Sequence, residues 1–363
     1  MSYNKLFATF ALTFGICLSA SFPRLASAVE LVSDPVGYYK LALLGNSDNY
    51  VSIPFSRPVF YPGQVASVSG NVVTLQGTPG WTAGQLVYVS GSQSNTYYVR
   101  FDSGTLEGRW YTITNNGTGS VSLDLHGDTL TGLATDDLIS IIPHWTLGTV
   151  FAGGNGIHTS PVIGNKNTQI LIADTTSDGI NNAAGAAGTY YLLDNGTWNK
   201  NGGGSISRND DILSPNVYMV IRHNIASNTV YISSGSVVLS KIAIPLRANV
   251  AVPQDNPRAL MRPIAVSLND SGLTNGGAFV QSSLGLPTKD TLLTFDNSSA
   301  TKNKSPSATY FFDSTSLQWR KSGGGTVNYG TSNVFQPGTG FIIRKVTNSS
   351  APTWVNTATY TNN

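Results

Sequence analysis

Paired aromatic and acidic residues are the main candidates for chemistry in this sequence. Trp198 and Trp319 stand at matching places in two copies of one phrase, each just after an expected hairpin turn. A tryptophan exposed on a sheet offers a large, rigid, apolar face on which a sugar ring can stack. The same residue turned inward closes the core of a β-sandwich, and the duplication suits either arrangement. The adjacent carboxylates Asp136-Asp137 and Asp210-Asp211 are the candidates for glycosidase chemistry, which needs two acids flanking one bond. Neighbours on a strand point to opposite faces, and the second copy reads Ser332-Asn333 where the first has Asp210-Asp211. Solvated loop charge is the better account of both pairs. Asp174-Thr175-Thr176-Ser177-Asp178-Gly179 carries residue types that bind calcium, without the alternating spacing of a calcium loop. Calcium is thus the one cofactor with a candidate segment.

Other signatures are missing. The chain has no Gly-x-Ser-x-Gly elbow, no P-loop and no His-Glu-x-x-His. Its histidines, His126, His144, His158 and His223, include no i, i+2 or i, i+4 pair that would set two imidazoles on one ion. No catalytic residue is assigned, and a non-enzymatic protein is expected.

The first residues read as an address. Lys5 supplies a positive start, Leu6 to Ala20 is mostly apolar, and Ala26-Ser27-Ala28 forms an A-x-A cleavage site. Residues 1–28 are therefore expected to be a signal peptide. The apolar run falls short of the roughly 20 residues that span a bilayer, so no transmembrane segment is expected in the mature chain. The implied location is periplasmic, cell-surface or extracellular. Removing the leader takes away Lys5, Arg24 and Cys17, leaving 19 basic and 19 acidic groups and no cysteine. A chain of zero net charge builds no field for phosphate, which excludes nucleic acid as a partner class. Without disulfides, hydrophobic cores and backbone pairing must hold the fold.

Those cores come from strands. Alternating apolar runs bounded by Gly, Asn, Asp and Pro recur throughout, among them Val36 to Leu44, Tyr50 to Phe55, Val72 to Leu75, Leu86 to Val89, Tyr97 to Phe101 and Val217 to Arg222. Asn116-Gly117 and Asp194-Asn195-Gly196 supply turn chemistry. Glycine and asparagine interrupt every helical window, and the Ala-rich stretch 181–188 reads as a loop. The fold class is all-β.

Self-comparison divides the chain. Thr189-Tyr190-Tyr191-Leu192-Leu193-Asp194, followed by Trp198, Lys200 and Gly202-Gly203-Gly204, returns as Thr309-Tyr310-Phe311-Phe312-Asp313, followed by Trp319, Lys321 and Gly323-Gly324-Gly325. Val220-Ile221-Arg222 returns as Ile342-Ile343-Arg344, and Lys40-Leu41-Ala42-Leu43 resembles Lys241-Ile242-Ala243-Ile244. The offset is 120–122 residues late in the copies and 201 at their start, so the first copy carries an insertion of about 80 residues. The expected organisation is two duplicated β-sandwich-like domains, the first (36–61 plus 144–235) interrupted by a small β-barrel (62–143). The second covers 236–346, and 347–363 forms a polar tail or a last edge strand.

Several ordered phrases carry a family resemblance: Asp34-Pro35-Val36-Gly37-Tyr38, Gly77-Thr78-Pro79-Gly80-Trp81-Thr82-Ala83, Glu107-Gly108-Arg109-Trp110-Tyr111, Trp145-Thr146-Leu147-Gly148 and the run from Pro337 to Lys345. Together they resemble a family of exported β-rich proteins from Verrucomicrobia and related bacteria. The resemblance implies export and brings no catalytic residues. Low charge, poorly guarded edge strands and two related domains point first to association, as a coat, fibre or matrix subunit. A polysaccharide-binding protein using Trp198 and Trp319 is the alternative, and a glycan-active enzyme comes last. Self-association or a surface glycan is the expected partner.

Overall fold

The computed structural model describes residues 35–180, 188–283, 289–347 and 351–360. The expected signal peptide and most of the Ala-rich stretch lie outside them. Repeat one opens with β1 (Val36–Leu43) and β2 (Asp48–Val51). The chain then leaves it for β3 (Tyr61–Ser69), β4 (Val72–Leu75), β5 (Tyr97–Phe101), β6 (Trp110–Asn116), β7 (Ser120–Leu123) and β8 (Leu138–Pro143). It returns through β9 (Trp145–Thr146), the short helix α1 (Leu147–Val150), β10 (Thr168–Ile172), β11 (Thr189–Leu192), β12 (Trp198–Lys200), β13 (Ile212–Leu213), β14 (Met219–His223) and β15 (Thr229–Ser236). Repeat two comprises β16 (Ile242–Pro245), β17 (Gln254–Arg258), β18 (Thr291–Thr294), β19 (Ala308–Asp313), β20 (Gln318–Lys321), β21 (Phe341–Lys345) and β22 (Thr353–Asn356). The protein is all-β, as the alternation requires.

Both repeats build one topology. Repeat one forms an antiparallel sheet in the order β12-β11-β10-β14-β2, and repeat two forms β20-β19-β18-β21-β17. Each sheet is backed by a two-stranded ribbon, β1-β15 or β16-β22. Leu43 and Tyr231 of the first ribbon pack on Ile170 and Ile221 of its sheet. Ile242, Ile244 and Trp354 of the second pack on Leu292 and Ile343. The inserted segment closes into a barrel in the order β3-β4-β7-β6-β5-β8, around Val65, Val99, Phe101, Val121 and Ile141.

Of the two forms expected after residue 346, a polar tail or a last edge strand, the structure has the strand: β22 pairs with β16, and Trp354 is fully buried with its Nε1 donating to the Ser271 carbonyl at 2.8 Å. One expected strand needs correction. Leu86 to Val89 forms no strand, because the Asn116 side chain captures the Leu86 amide at 2.9 Å and draws this apolar residue into the barrel core.

The opposite faces of the two sheets meet. Tyr50, Tyr218 and Val220 of repeat one pack against Ala259, Leu293 and Ile342 of repeat two. Backbone groups cross reciprocally. The amides of Asp48 and Ser52 donate to the carbonyls of Thr301 and Gly338, and those of the matching Asp255 and Ala259 donate to Gly179 and Asn216. This is a pseudo-two-fold contact within one chain, with the same surface used from both sides.

The barrel is tied to repeat two. Ala243 N–H on β16 donates to the Gly108 carbonyl at 3.0 Å, and Lys241 pairs with Glu107 at 2.7 Å. Gly108 has φ +87°, and a Cβ there would lie 2.7 Å from the Lys241 carbonyl oxygen, so glycine is required on both counts.

The symmetry breaks at its axis. Tyr218 occupies the place that Gly340 holds in repeat two, and a Cβ at Gly340 would lie 2.3 Å from Tyr218 Cγ. Gly340→Ala is expected to lower stability by roughly 1–3 kcal/mol through overpacking. Urea midpoints should show most of that loss removed in a Tyr218→Ala background, and additive effects of the two changes would reject the contact.

Candidate functional site

Trp198 and Trp319 are each only 1% exposed. Trp198 packs against Phe151 at 5.3 Å between ring centres, and Trp319 against Phe279 at 5.2 Å. Both therefore close the core of their repeat, and neither indole face is free for a sugar. Their sequence position after a hairpin turn is right, but on β12 and β20 these side chains fall on the ribbon-facing side of the sheet. The sugar-platform expectation is corrected on this ground.

Three of the paired acidic candidates are engaged locally, and the fourth, Asp210, is half-buried in the turn before β13. Asp136 accepts from Gln76 Nε2 at 2.5 Å, and Asp137 accepts the Ala134 amide at 2.9 Å. Asp211 lies 3.9 Å from Arg208. The Asp174 carboxylate accepts the amides and hydroxyls of Thr176 and Ser177, which hold its pKa below the usual carboxylate range. Asp178 pairs with Arg247 at 2.6 Å. The loop offered for calcium thus closes on itself, and among the described residues no group of three His, Cys, Asp or Glu is placed to hold a metal.

The fold does bring two of the scattered histidines together. The His158 and His223 rings meet edge-on at 4.8 Å. His158 Nε2 contacts the Ser227 carbonyl, and His223 bridges Thr168 and Thr229, each at 2.8 Å. Strand pairing across 55 residues creates this cluster, which no local spacing could reveal.

One cleft lies on the outer face of the repeat-one sheet, where repeat two overhangs it, with a volume of about 400 Å³. Tyr50, Leu171 and Val220 make an apolar floor, and Gln169, Asn201, Asn303 and Lys304 supply polar groups. Tyr50 stacks on Phe295 of repeat two at 3.8 Å between ring centres. Its phenol is pushed up to about 12, first by burial and then by the Asp48 carboxylate. Arg222 grips Asp48 through two bonds of 2.6 and 2.7 Å and reaches Asn303 at 2.7 Å. The matching pair, Arg344 and Asp255, meets at 2.7 and 3.1 Å. Sequence reasoning matched the two arginines but missed their partners. The signal was present as the dipeptide Asp48-Asn49, repeated as Asp255-Asn256.

A second surface feature is the free edge of β1. Val237 N–H donates to the Pro35 carbonyl, so odd-numbered residues of β1 face β15 and the backbone groups of Val36, Tyr38, Lys40 and Ala42 point away. Among the described residues these outward groups have no hydrogen-bond partner. The outer edge of β15 is closed by Ser56, which exchanges bonds with Ser236, and by Asn155, which bonds Ile232. The exposed face of the ribbon carries Val36 (77% exposed), Tyr38 (65%), Val230 and Ile232.

No family model, no curated protein and no solved structure matches the chain.

Burial, and secondarily His158, holds the His223 imidazole down at about 4; burial alone holds His144 down at about 3. An ordinary histidine titrates near 6.5. Between those values the unfolded chain binds more protons, so this stability is complete above about pH 6.5 and is lost as pH falls towards 4. For His223 the loss is about 3 kcal/mol. Urea midpoints measured from pH 7 to 4 should fall accordingly, and His223→Gln should flatten the slope; an unchanged slope would place the titration elsewhere.

Proposed function

We propose that the protein is an exported, non-enzymatic protein that works by association, and that β1 is where one copy joins a second. The observation that supports this reading is the edge of β1, eight residues long and unpartnered among the described residues, with Val36 and Tyr38 exposed beside Lys40 on its outer face. An unpaired edge of this length is a template for another strand. An antiparallel pairing of β1 with itself, centred on Tyr38, sets Tyr38 against Tyr38 of the second copy and Val36 against Lys40. That register keeps the two Lys40 charges apart and yields one four-stranded sheet, β15-β1-β1-β15, about a two-fold axis. Neutral overall charge removes long-range repulsion between copies.

The test is light scattering with Tyr38→Pro. Proline keeps an outward edge position without breaking the ladder to β15, yet removes the outward donor. The expected result is a concentration-dependent dimer for the unaltered chain and a cooperatively folded monomer for the variant, whose thermal midpoint no longer rises with concentration. A strict monomer at high concentration in the unaltered chain would reject the reading.

The amide-rich cleft favours a second reading, binding of a polysaccharide. Amide side chains over an aromatic and aliphatic floor suit hydroxyl-bearing rings. Here Asn201→Ala with Lys304→Ala should weaken retention on an immobilised soluble glycan several-fold while leaving the dimer intact. Retention that does not change would remove the cleft as the site.

A further inference from the structure

Lys345 and Asp290 are the most deeply enclosed charged pair among the described residues, both with fully buried side chains. Asp290 directly precedes β18 and Lys345 ends β21, its ladder neighbour. Lys345 Nζ contacts Asp290 Oδ2 and also donates to the Ala278 carbonyl at 2.7 Å. The Val346 amide donates to Asp290 Oδ1 at 2.8 Å, and the Val280 amide donates to Oδ2 at 2.7 Å.

Repeat one shows what the scaffold itself needs at this position. The register places Thr168 and His223 where repeat two has Asp290 and Lys345. Those two residues meet through a neutral hydrogen bond of 2.8 Å, also fully enclosed. The same ladder position is thus filled without charge in one copy and with an amine and a carboxyl in the other. Burying an ion pair costs several kcal/mol per ion before its mutual attraction is counted, so simple packing gives no reason for the exchange.

We propose that Lys345 and Asp290 form an intramolecular isopeptide bond. One proton passes from the ammonium to the carboxylate it contacts, and the unprotonated amine is the nucleophile. Nζ attacks Cγ, with the Val346 N–H positioned to stabilise negative charge developing on Oδ1. The Cγ–Nζ bond forms and the Cγ–Oδ2 bond breaks, with the Val280 N–H donating to the departing oxygen. Oδ2 leaves as water, carrying two of the three ammonium protons, and the third stays on the amide nitrogen, where Ala278 O can accept it. No oxidant, metal or further reactant enters the balance. The product joins two central strands of a chain whose only cysteine, Cys17, lies in the expected leader, and it closes a loop of 55 residues. It would stabilise the fold as a disulfide does, by restricting the unfolded chain. This proposal stands apart from the association reading and does not depend on it.

The intact mass of the full chain, measured after denaturation, decides the matter. The unaltered protein is expected to be one water molecule lighter than its sequence requires. A trypsin digest should contain a branched peptide joining the Asp290 and Lys345 segments, with no cleavage after Lys345. Lys345→Arg and Asp290→Ala should each show the full mass of their own sequence. If either variant fails to fold, the unaltered protein still gives the answer. A full sequence mass there, with Lys345 open to acetylation in denaturant, would overturn the proposal.

Discussion

Unpaired backbone at a sheet edge is the constraint around which this molecule is arranged. Each five-stranded sheet ends in a short strand, β2 or β17, whose outward amides would otherwise face water or another chain. The repeats satisfy those amides for each other: Asp48 and Ser52 reach into repeat two, while Asp255 and Ala259 reach into repeat one. The bidentate Asp48–Arg222 and Asp255–Arg344 pairs hold the start of each edge strand against its neighbour. Asn49 and Asn256 act alongside them, each clamping the backbone of the preceding loop and reaching the strand carbonyl of Ile221 or Ile343. Since the edges are closed only when both repeats are in place, the duplicated domains behave as one structural unit.

Duplication supplies the two halves, but a shared axis forbids them from staying identical. Where the sheets meet, two tyrosines cannot occupy the same volume, so one copy keeps Tyr218 and the other has Gly340. Similarly, Tyr50 in β2 corresponds to Pro257 in β17. Tyr50 N–H donates to Asn297 Oδ1, a bond that proline cannot make. The cleft beside Tyr50 follows from this asymmetry, because its aromatic floor has no counterpart in the other copy. Divergence is therefore concentrated at the axis and in the enclosed ladder ends, while the Asp–Arg and Asn devices are retained.

Much of this organisation was legible in the sequence. The change in offset between the two copies located an insertion whose limits nearly match the barrel, Tyr61 to Pro143, and period-2 alternation gave the all-β class. Which face a residue occupies was harder to read. The turn phrases placed Trp198 and Trp319 correctly along the chain, but their direction depends on a ribbon formed from strands far away in sequence. The same limit hid the His158–His223 contact and the Asp partners of Arg222 and Arg344, all of which are made by pairing over long separations. Trp354 was missed for a different reason: the polar residues around it mask a four-residue strand whose ladder partner, β16, lies over 100 residues earlier.

The barrel fits the same logic of edges. In repeat two, the outward Ala243 amide of β16 is taken by Gly108, and Lys241 is neutralised by Glu107. The matching residues on β1 are Ala42 and Lys40, and no barrel loop reaches them. One insertion can close only one of two equivalent ribbons, because its attachment at Phe60 and His144 fixes which ribbon its loops meet. Of the two equivalent strands β1 and β16, only β16 is therefore met by the barrel among the described residues. The position of the insert therefore determines which ribbon has its outward backbone met by the barrel, that of β16, and which strand keeps its outward groups, β1.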